Sequence, residues 1–149
     1  MDLWTQIAWG TLVLTLCSAL HLALILASID WLRWIAQDRS GPVRRHRASL
    51  TLAFALLIVV IGHTAQVWLW ALSYLWLGAL SSLEPALYFA LSNYTTLGYG
   101  DLVLDADLRV FAAFASVNGM LIFGVSTAYL VSVIGRLLPN RLRPPDGPT

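Results

Sequence analysis

At 149 residues, 58% of them hydrophobic and 11% charged, the chain lies outside the composition of ordinary soluble domains and reads first as a membrane protein. Nine basic residues, all arginine, against eight acidic ones leave a net charge of +1, so no overall basic balance supports nucleic-acid binding. The single cysteine, Cys17, permits no intramolecular disulfide, and no zinc, nucleotide or nucleophile-elbow signature points to an enzyme.

The first apolar run extends from about Trp4 to Ile29, long enough for a tilted membrane-crossing helix. Gln6, Ser18 and His21 are its polar members. No positive segment precedes it and it is too long for a secretory signal, so a retained helix over residues 1–29 is expected. Residues 30–48 carry Arg33, Arg39, Arg44, Arg45 and Arg47 and break at Ser40-Gly41-Pro42. They are expected to form a basic loop or interfacial segment. Its arginines suit anionic lipid head groups, although topology alone accounts for them.

A second run starts at Ser49 and continues through an aromatic-rich end to Leu77, giving a predicted helix over 49–77. Gly62, His63, Thr64 and Gln66 lie inside it. Gly78 to Ser82 reads as a turn. The next apolar segment, ending at Tyr94, is too short to cross a bilayer, and its length predicts a re-entrant helix over 82–94. Ser81-x-x-Glu84 fits a capping box, while Ser82 as the cap places Pro85 better within the first turn. After residues 95–101 and an exit loop over 102–106, a third span is predicted over 107–135. The Pro- and Arg-rich tail, 136–149, has no apolar period and is expected to be disordered.

Between the second and third spans stands Thr95-Thr96-Leu97-Gly98-Tyr99-Gly100-Asp101. Irregular backbone at membrane depth survives only where protein or a water-filled cavity surrounds it. Gly98 and Gly100 can take left-handed conformations that other residues resist, letting successive carbonyls turn to one side. Those oxygens, with the Thr96 hydroxyl, suit replacement of the water shell of a monovalent cation.

The arginines set an expected orientation. Five lie in the 30–48 loop and Arg136, Arg141 and Arg143 in the tail, whereas the 78–108 side has Glu84, Asp101, Asp105 and Asp107 with Arg109 close by. The positive-inside rule puts loop and tail in the cytoplasm and the N-terminus outside. Trp4, Trp9, Trp68, Trp70 and Trp76 fall near the expected outer ends, and Trp31 and Trp34 near the inner one, as aromatic belts would have them.

Span, short helix, T-T-L-G-Y-G-D and span together resemble the pore module of the potassium channel superfamily, in particular small bacterial two-helix-pore channels carrying one extra N-terminal helix. Filters of that superfamily are built from T-V-G-Y-G loops, and Leu97 here takes the place of Val. The resemblance covers residues 49–135. It implies an all-α membrane protein with three transmembrane helices, a re-entrant pore helix and a selectivity-filter loop. It further implies a homotetramer in the cell (cytoplasmic or inner) membrane, with potassium ions passing through the filter. Thr96, Leu97, Gly98 and Tyr99 would then hold potassium through backbone carbonyls and the Thr96 hydroxyl, with Gly100 beside them. Thr95 would end the pore helix and Asp101 would stand at the outer mouth. Tyr88, Phe89 and Ser92 would support the filter, the two aromatics forming a cuff around Tyr99. Leu97 adds bulk behind its carbonyl, and where some relatives carry a supporting pore-helix carboxylate this chain has Ser92 and Asn93.

In the third span, Gly119 stands close to where related inner helices carry a hinge glycine. Gly124 is the alternative, although Gly124-x-x-x-Ala128 equally suits helix packing. Asn118 is expected on the cavity wall, with Ser126, Thr127 and Ser132 as further lining candidates. His21, His63 and Gln66 are expected to hydrogen-bond between helices. A bis-histidine haem site at His21 and His63 is disfavoured, because the two would sit about 12 Å and 21 Å from their cytoplasmic helix ends. The other open readings are a weakly selective cation channel and a non-conducting accessory subunit with the pore fold.

Overall fold

A computed structural model describes residues 1–37 and 45–137. It contains four helices and, among the described residues, no strand: α1 (Leu3–Gln37), α2 (Arg45–Trp76), α3 (Leu83–Tyr94) and α4 (Arg109–Leu137). Segments Leu3–Asp30, His46–Trp76 and Arg109–Leu137 are long and apolar enough to cross a membrane. Leucines at 12, 16, 22, 26, 50, 56 and 57 are exposed on them, the outward apolar face that lipid requires.

Two helices run further than the hydrophobic runs suggest. α1 continues past Ile29 to Gln37, and α2 begins at Arg45 rather than Ser49. Charged residues end a hydrophobic run but not a helix, and no Gly or Pro interrupts the chain between Asp30 and Gln37. The Ser40-Gly41-Pro42 break lies outside the described residues. α4 is displaced by two residues at each end from the expected 107–135, so Arg136 belongs to a helix and not to the tail. The rest of the tail, 138–149, lies outside the described residues.

α2 ends on Gly78, whose φ of +67° is the left-handed conformation glycine adopts readily. Ala79 N–H bonds the Tyr74 carbonyl at 2.9 Å and Gly78 N–H the Leu75 carbonyl at 3.0 Å, the double closure of a Schellman motif. The chain thereby turns into α3. Ser82 is the N-cap in extended backbone but makes no side-chain cap bond, so the expected capping box does not form. Pro85 sits in the first turn, where its missing N–H is no loss.

α1 packs on α4 and α2, while α3 wedges between α2 and α4. The larger core gathers Cys17, Trp70, Tyr74, Phe89, Tyr94 and Phe111 at the α3 end. A smaller one, with Ile25, Val59, Tyr129 and Val133, fills the opposite end. Trp70 is fully buried against Tyr74 and Phe111, which corrects its expected place in an aromatic belt. Trp4, Trp68 and Trp76 are exposed.

Polar side chains fasten α1 to α4 along its length. Gln6 Oε1 accepts from Val110 N–H at 3.0 Å and Phe111 N–H at 3.4 Å, capping α4 from a neighbouring helix. Ser18 donates to Asn118 at 3.3 Å, His21 meets Ser126 at 3.0 Å, and Ser28 meets Tyr129 at 2.7 Å.

Candidate functional site

The 95–101 stretch grows out of the end of α3, and the helix's last carbonyls are spent on it. Thr95 N–H bonds the Leu91 carbonyl at 3.0 Å, Thr96 N–H the Asn93 carbonyl at 2.9 Å, and Gly98 N–H the Ser92 carbonyl at 3.2 Å. Ser116 of α4 donates to the same Asn93 carbonyl at 2.8 Å. Asn93 therefore ties the helix end to both the loop and α4.

The backbone of the stretch alternates in hand. Thr96, Gly98 and Gly100 have φ of +61°, +52° and +76°, while Leu97 and Tyr99 stay on the negative side. Among the described residues Thr96 is the sole non-glycine with positive φ, a conformation uncommon for any side chain and an outlier for a β-branched one. Such strain persists where surrounding structure holds it, often at functional sites. All seven residues from Thr95 to Asp101 are exposed on the protomer.

At the far end of the stretch, Asp101 Oδ2 accepts from the Tyr88 hydroxyl at 2.5 Å and Oδ1 from Leu102 N–H at 3.0 Å. The carboxylate that takes its hydrogen bond pushes the Tyr88 hydroxyl pKa up. Tyr88 thus holds Asp101, a partnership that no local sequence signal announces; the expected role of Tyr88 is support of the stretch through a cuff around Tyr99, and the residues expected in the neighbourhood of Asp101 are Ser92 and Asn93. Phe89 is buried edge-on against Tyr74 of α2 at 5.2 Å. Tyr99 is exposed and makes no ring contact with Tyr88 or Phe89 among the described residues, so the expected cuff does not close within one protomer. A cavity of about 230 Å³ lies behind the stretch, with Tyr88, Ser92, Asn93, Gly98, Asp101 and Arg109 in its wall.

On α4 the expected lining residues separate. Asn118 is fully buried and donates to Gln66 Oε1 at 2.7 Å; this corrects its expected place on the cavity wall, because α1 and α2 supply its polar partners. Ser126 is likewise buried between two histidines. Thr127 is exposed and bonds its own helix at Phe123 O, and Ser132 is exposed. Gly119 is buried against the Tyr94 carbonyl, whereas a β-carbon on Gly124 would meet nothing within 4 Å.

His21 and His63 stand at one depth, with ring centroids 5.0 Å apart. The depth argument against haem fails, because α1 runs eight residues past Ile29 and α2 starts four residues before Ser49. The haem reading fails for another reason: both Nε2 atoms converge on the Ser126 hydroxyl, and the rings are too close for a macrocycle between them. Among the described residues no group of three His, Cys, Asp or Glu gathers to hold a metal. The oxygens along 95–101 are backbone carbonyls, the hydroxyls of Thr95, Thr96 and Tyr99, and at its far end the Asp101 carboxylate.

Three membrane-crossing helices with a re-entrant short helix between the last two define a multi-pass membrane protein of the pore-loop class. A family model described as an ion channel matches residues 49–136, more than half of the chain, and the chain belongs to that ion channel family. No curated protein and no solved structure matches it.

Proposed function

We propose that four copies of the chain form a potassium-selective channel, with Thr96, Leu97, Gly98 and Tyr99 of each lining one passive pathway. The alternating backbone hand at Thr96, Gly98 and Gly100 carries this reading. Residues of opposite hand in succession direct their carbonyls to the same side, giving a row of oxygens that stands in for a cation's water shell. Ser92, Asn93 and Leu91 brace that row through the hydrogen bonds of the α3 end, and Tyr88 braces Asp101 at the mouth.

The depth of the stretch supports a closed assembly. Gly119 is ten residues into α4, about 15 Å along the helix, and the Tyr94 carbonyl lies against it. The segment leaving Tyr94 therefore starts well inside the bilayer with its backbone uncovered. Lipid does not tolerate that arrangement, whereas a ring of copies around a wet axis does. Exposed Leu97, Tyr99, Val103, Val117 and Met120 supply apolar surface for the neighbours. The arginine distribution supports a cytoplasmic C-terminus in a cell membrane.

The test is potassium efflux from liposomes holding the purified protein, measured beside sodium efflux and a Gly98→Ala control. Selective efflux abolished by the substitution is the expected result. Equal sodium efflux would leave a weakly selective channel, and silence from an intact tetramer would leave a non-conducting subunit.

A further inference from the structure

The polar side chains buried between the helices, away from 95–101, form one continuous chain. Ser18 donates to Asn118 Oδ1 at 3.3 Å and Asn118 Nδ2 to Gln66 Oε1 at 2.7 Å. Gln66 Nε2 lies 2.8 Å from His21 Nδ1. His21 Nε2 is 3.0 Å and His63 Nε2 3.1 Å from the same Ser126 hydroxyl. His63 Nδ1 is 2.8 Å from the hydroxyl of Tyr94. The chain passes through all four helices and ends on the last residue of α3.

Its direction follows from donor and acceptor counting. Gln66 Nε2 also donates to the Gly62 carbonyl at 3.3 Å, and turning the amide over would set oxygen against oxygen there. Gln66 is therefore the donor to His21 Nδ1. A neutral imidazole that accepts at one nitrogen carries its proton on the other, so His21 Nε2–H donates to Ser126. Ser126 has a single proton and no third partner among the described residues, so that proton goes to His63 Nε2, leaving His63 Nδ1–H to donate to Tyr94. These protons are assigned from the network of partners. Because Ser126 makes no hydrogen bond among the described residues other than those to the two rings, its one proton needs a bare ring nitrogen, and that makes the two neutral rings opposite tautomers whichever way the amides face.

We infer that His21 and His63 are positioning residues for the pore: through Ser126 they carry a directional hydrogen-bond relay that holds the end of α3 in register with α1. The significance of that end rests on the channel reading, but the relay itself does not. Gly62 makes room for it, since a β-carbon there would come within 2.5 Å of His21 Nδ1. The relay works only with both rings neutral. A proton on His21 Nδ1 would turn the ring from the Gln66 donor to the Gly62 carbonyl, and one on His63 Nε2 would leave the Ser126 proton without an acceptor among the described residues. The titratable groups facing the rings are each other, with centroids 5.0 Å apart, and Tyr94 on α3; Cys17 lies one turn before His21 on α1, and on α4 Tyr129 faces Ser28 instead. None supplies a charge that would favour an imidazolium.

Ring-nitrogen shifts of ¹⁵N-histidine-labelled protein in lipid bilayers test the relay without any need for conduction. His46→Gln removes the exposed third histidine from the spectrum. The expected result at neutral pH is one ring protonated at Nε2, His21, and one at Nδ1, His63. Ser126→Ala is expected to abolish that pairing and to move the Thr95 and Thr96 amide resonances, while Ser126→Thr, which keeps a hydroxyl, retains both. In a conducting protein Ser126→Ala lowers potassium efflux about fivefold, the worth of one buried hydrogen bond. Like tautomers, an imidazolium at neutral pH, unmoved Thr95 and Thr96 resonances, or unchanged efflux would each overturn the inference. Opposite tautomers and moved resonances in a protein that does not conduct would uphold the relay and remove the channel reading.

Discussion

Gly119, in the upper half of α4, lies so close to Tyr94 that a β-carbon on it would overlap the Tyr94 carbonyl oxygen. The obstacle is backbone at the end of α3, so no side chain can swing aside. Gly119→Ala is expected to push α3 and α4 apart and destabilise the fold by about 1–3 kcal/mol, the range of overpacked cores. Gly124→Ala meets nothing in the protomer and is expected to be neutral or to gain up to about 1 kcal/mol of helix propensity. Thermal unfolding of the two variants in the same detergent separates them. Equal midpoints would show that α3 and α4 slide freely at this contact.

Thr96 keeps a strained backbone that glycine would relieve. Holding an L-residue in the left-handed region costs roughly 1–2 kcal/mol, partly offset in Thr96→Gly by the greater chain entropy that glycine loses on folding. The variant is expected to be as stable as the parent or slightly more so, yet, on the proposed channel function, to discriminate less between potassium and sodium because the proposed filter loses the Thr96 hydroxyl. Melting and the potassium-to-sodium flux ratio should therefore move independently. A variant that loses stability and flux together would assign the hydroxyl to the fold instead.

The order of helices and the position of the 95–101 stretch were legible because each rests on a local signal: run length, the Gly-Tyr-Gly spacing, the short segment before it. The helix ends at Gln37 and Arg45 were not, since a charged residue marks where lipid ends and says nothing about where a helix stops. Asn118 was misplaced for a different reason. A polar residue at mid-span suits a wet cavity and a buried partner equally well, and the choice depends on what the facing helices offer. The signal existed: Ser18 with His21, and His63 with Gln66, are each three residues apart and share a helix face. Only packing puts those faces opposite Asn118 and Ser126. Tyr88 and Asp101, thirteen residues apart, meet because the chain reverses through the loop, which no periodicity reports.

Gln6 is one residue whose polarity in an apolar helix has a tertiary explanation. Its amide oxygen receives the N–H groups of Val110 and Phe111, two of the donors that a helix start leaves unpaired. Gln6→Leu would leave them without a partner, with an expected loss of roughly 1–2 kcal/mol. Amide hydrogen exchange reads this locally: Val110 and Phe111 should exchange faster while the amides of α3 do not. Uniform acceleration across α4 would mean that the cap holds the whole helix.

The Tyr88–Asp101 bond gives the far end of the 95–101 stretch a pH dependence of known sign. The carboxylate that accepts the bond raises the Tyr88 pKa above the ordinary 10.0. A group whose folded pKa is raised contributes stability that is whole below its unfolded pKa and disappears as pH climbs through the folded one. Wild type should therefore be more stable than Tyr88→Phe from neutral pH up to about 10, and the difference should close at higher pH as the phenol ionises beside the carboxylate. Beyond that point two like charges face each other and the sign reverses in favour of the phenylalanine variant. Melting curves of both proteins at a series of alkaline pH values test this. A gap that stays constant across the series would show that Asp101 does not hold the Tyr88 proton.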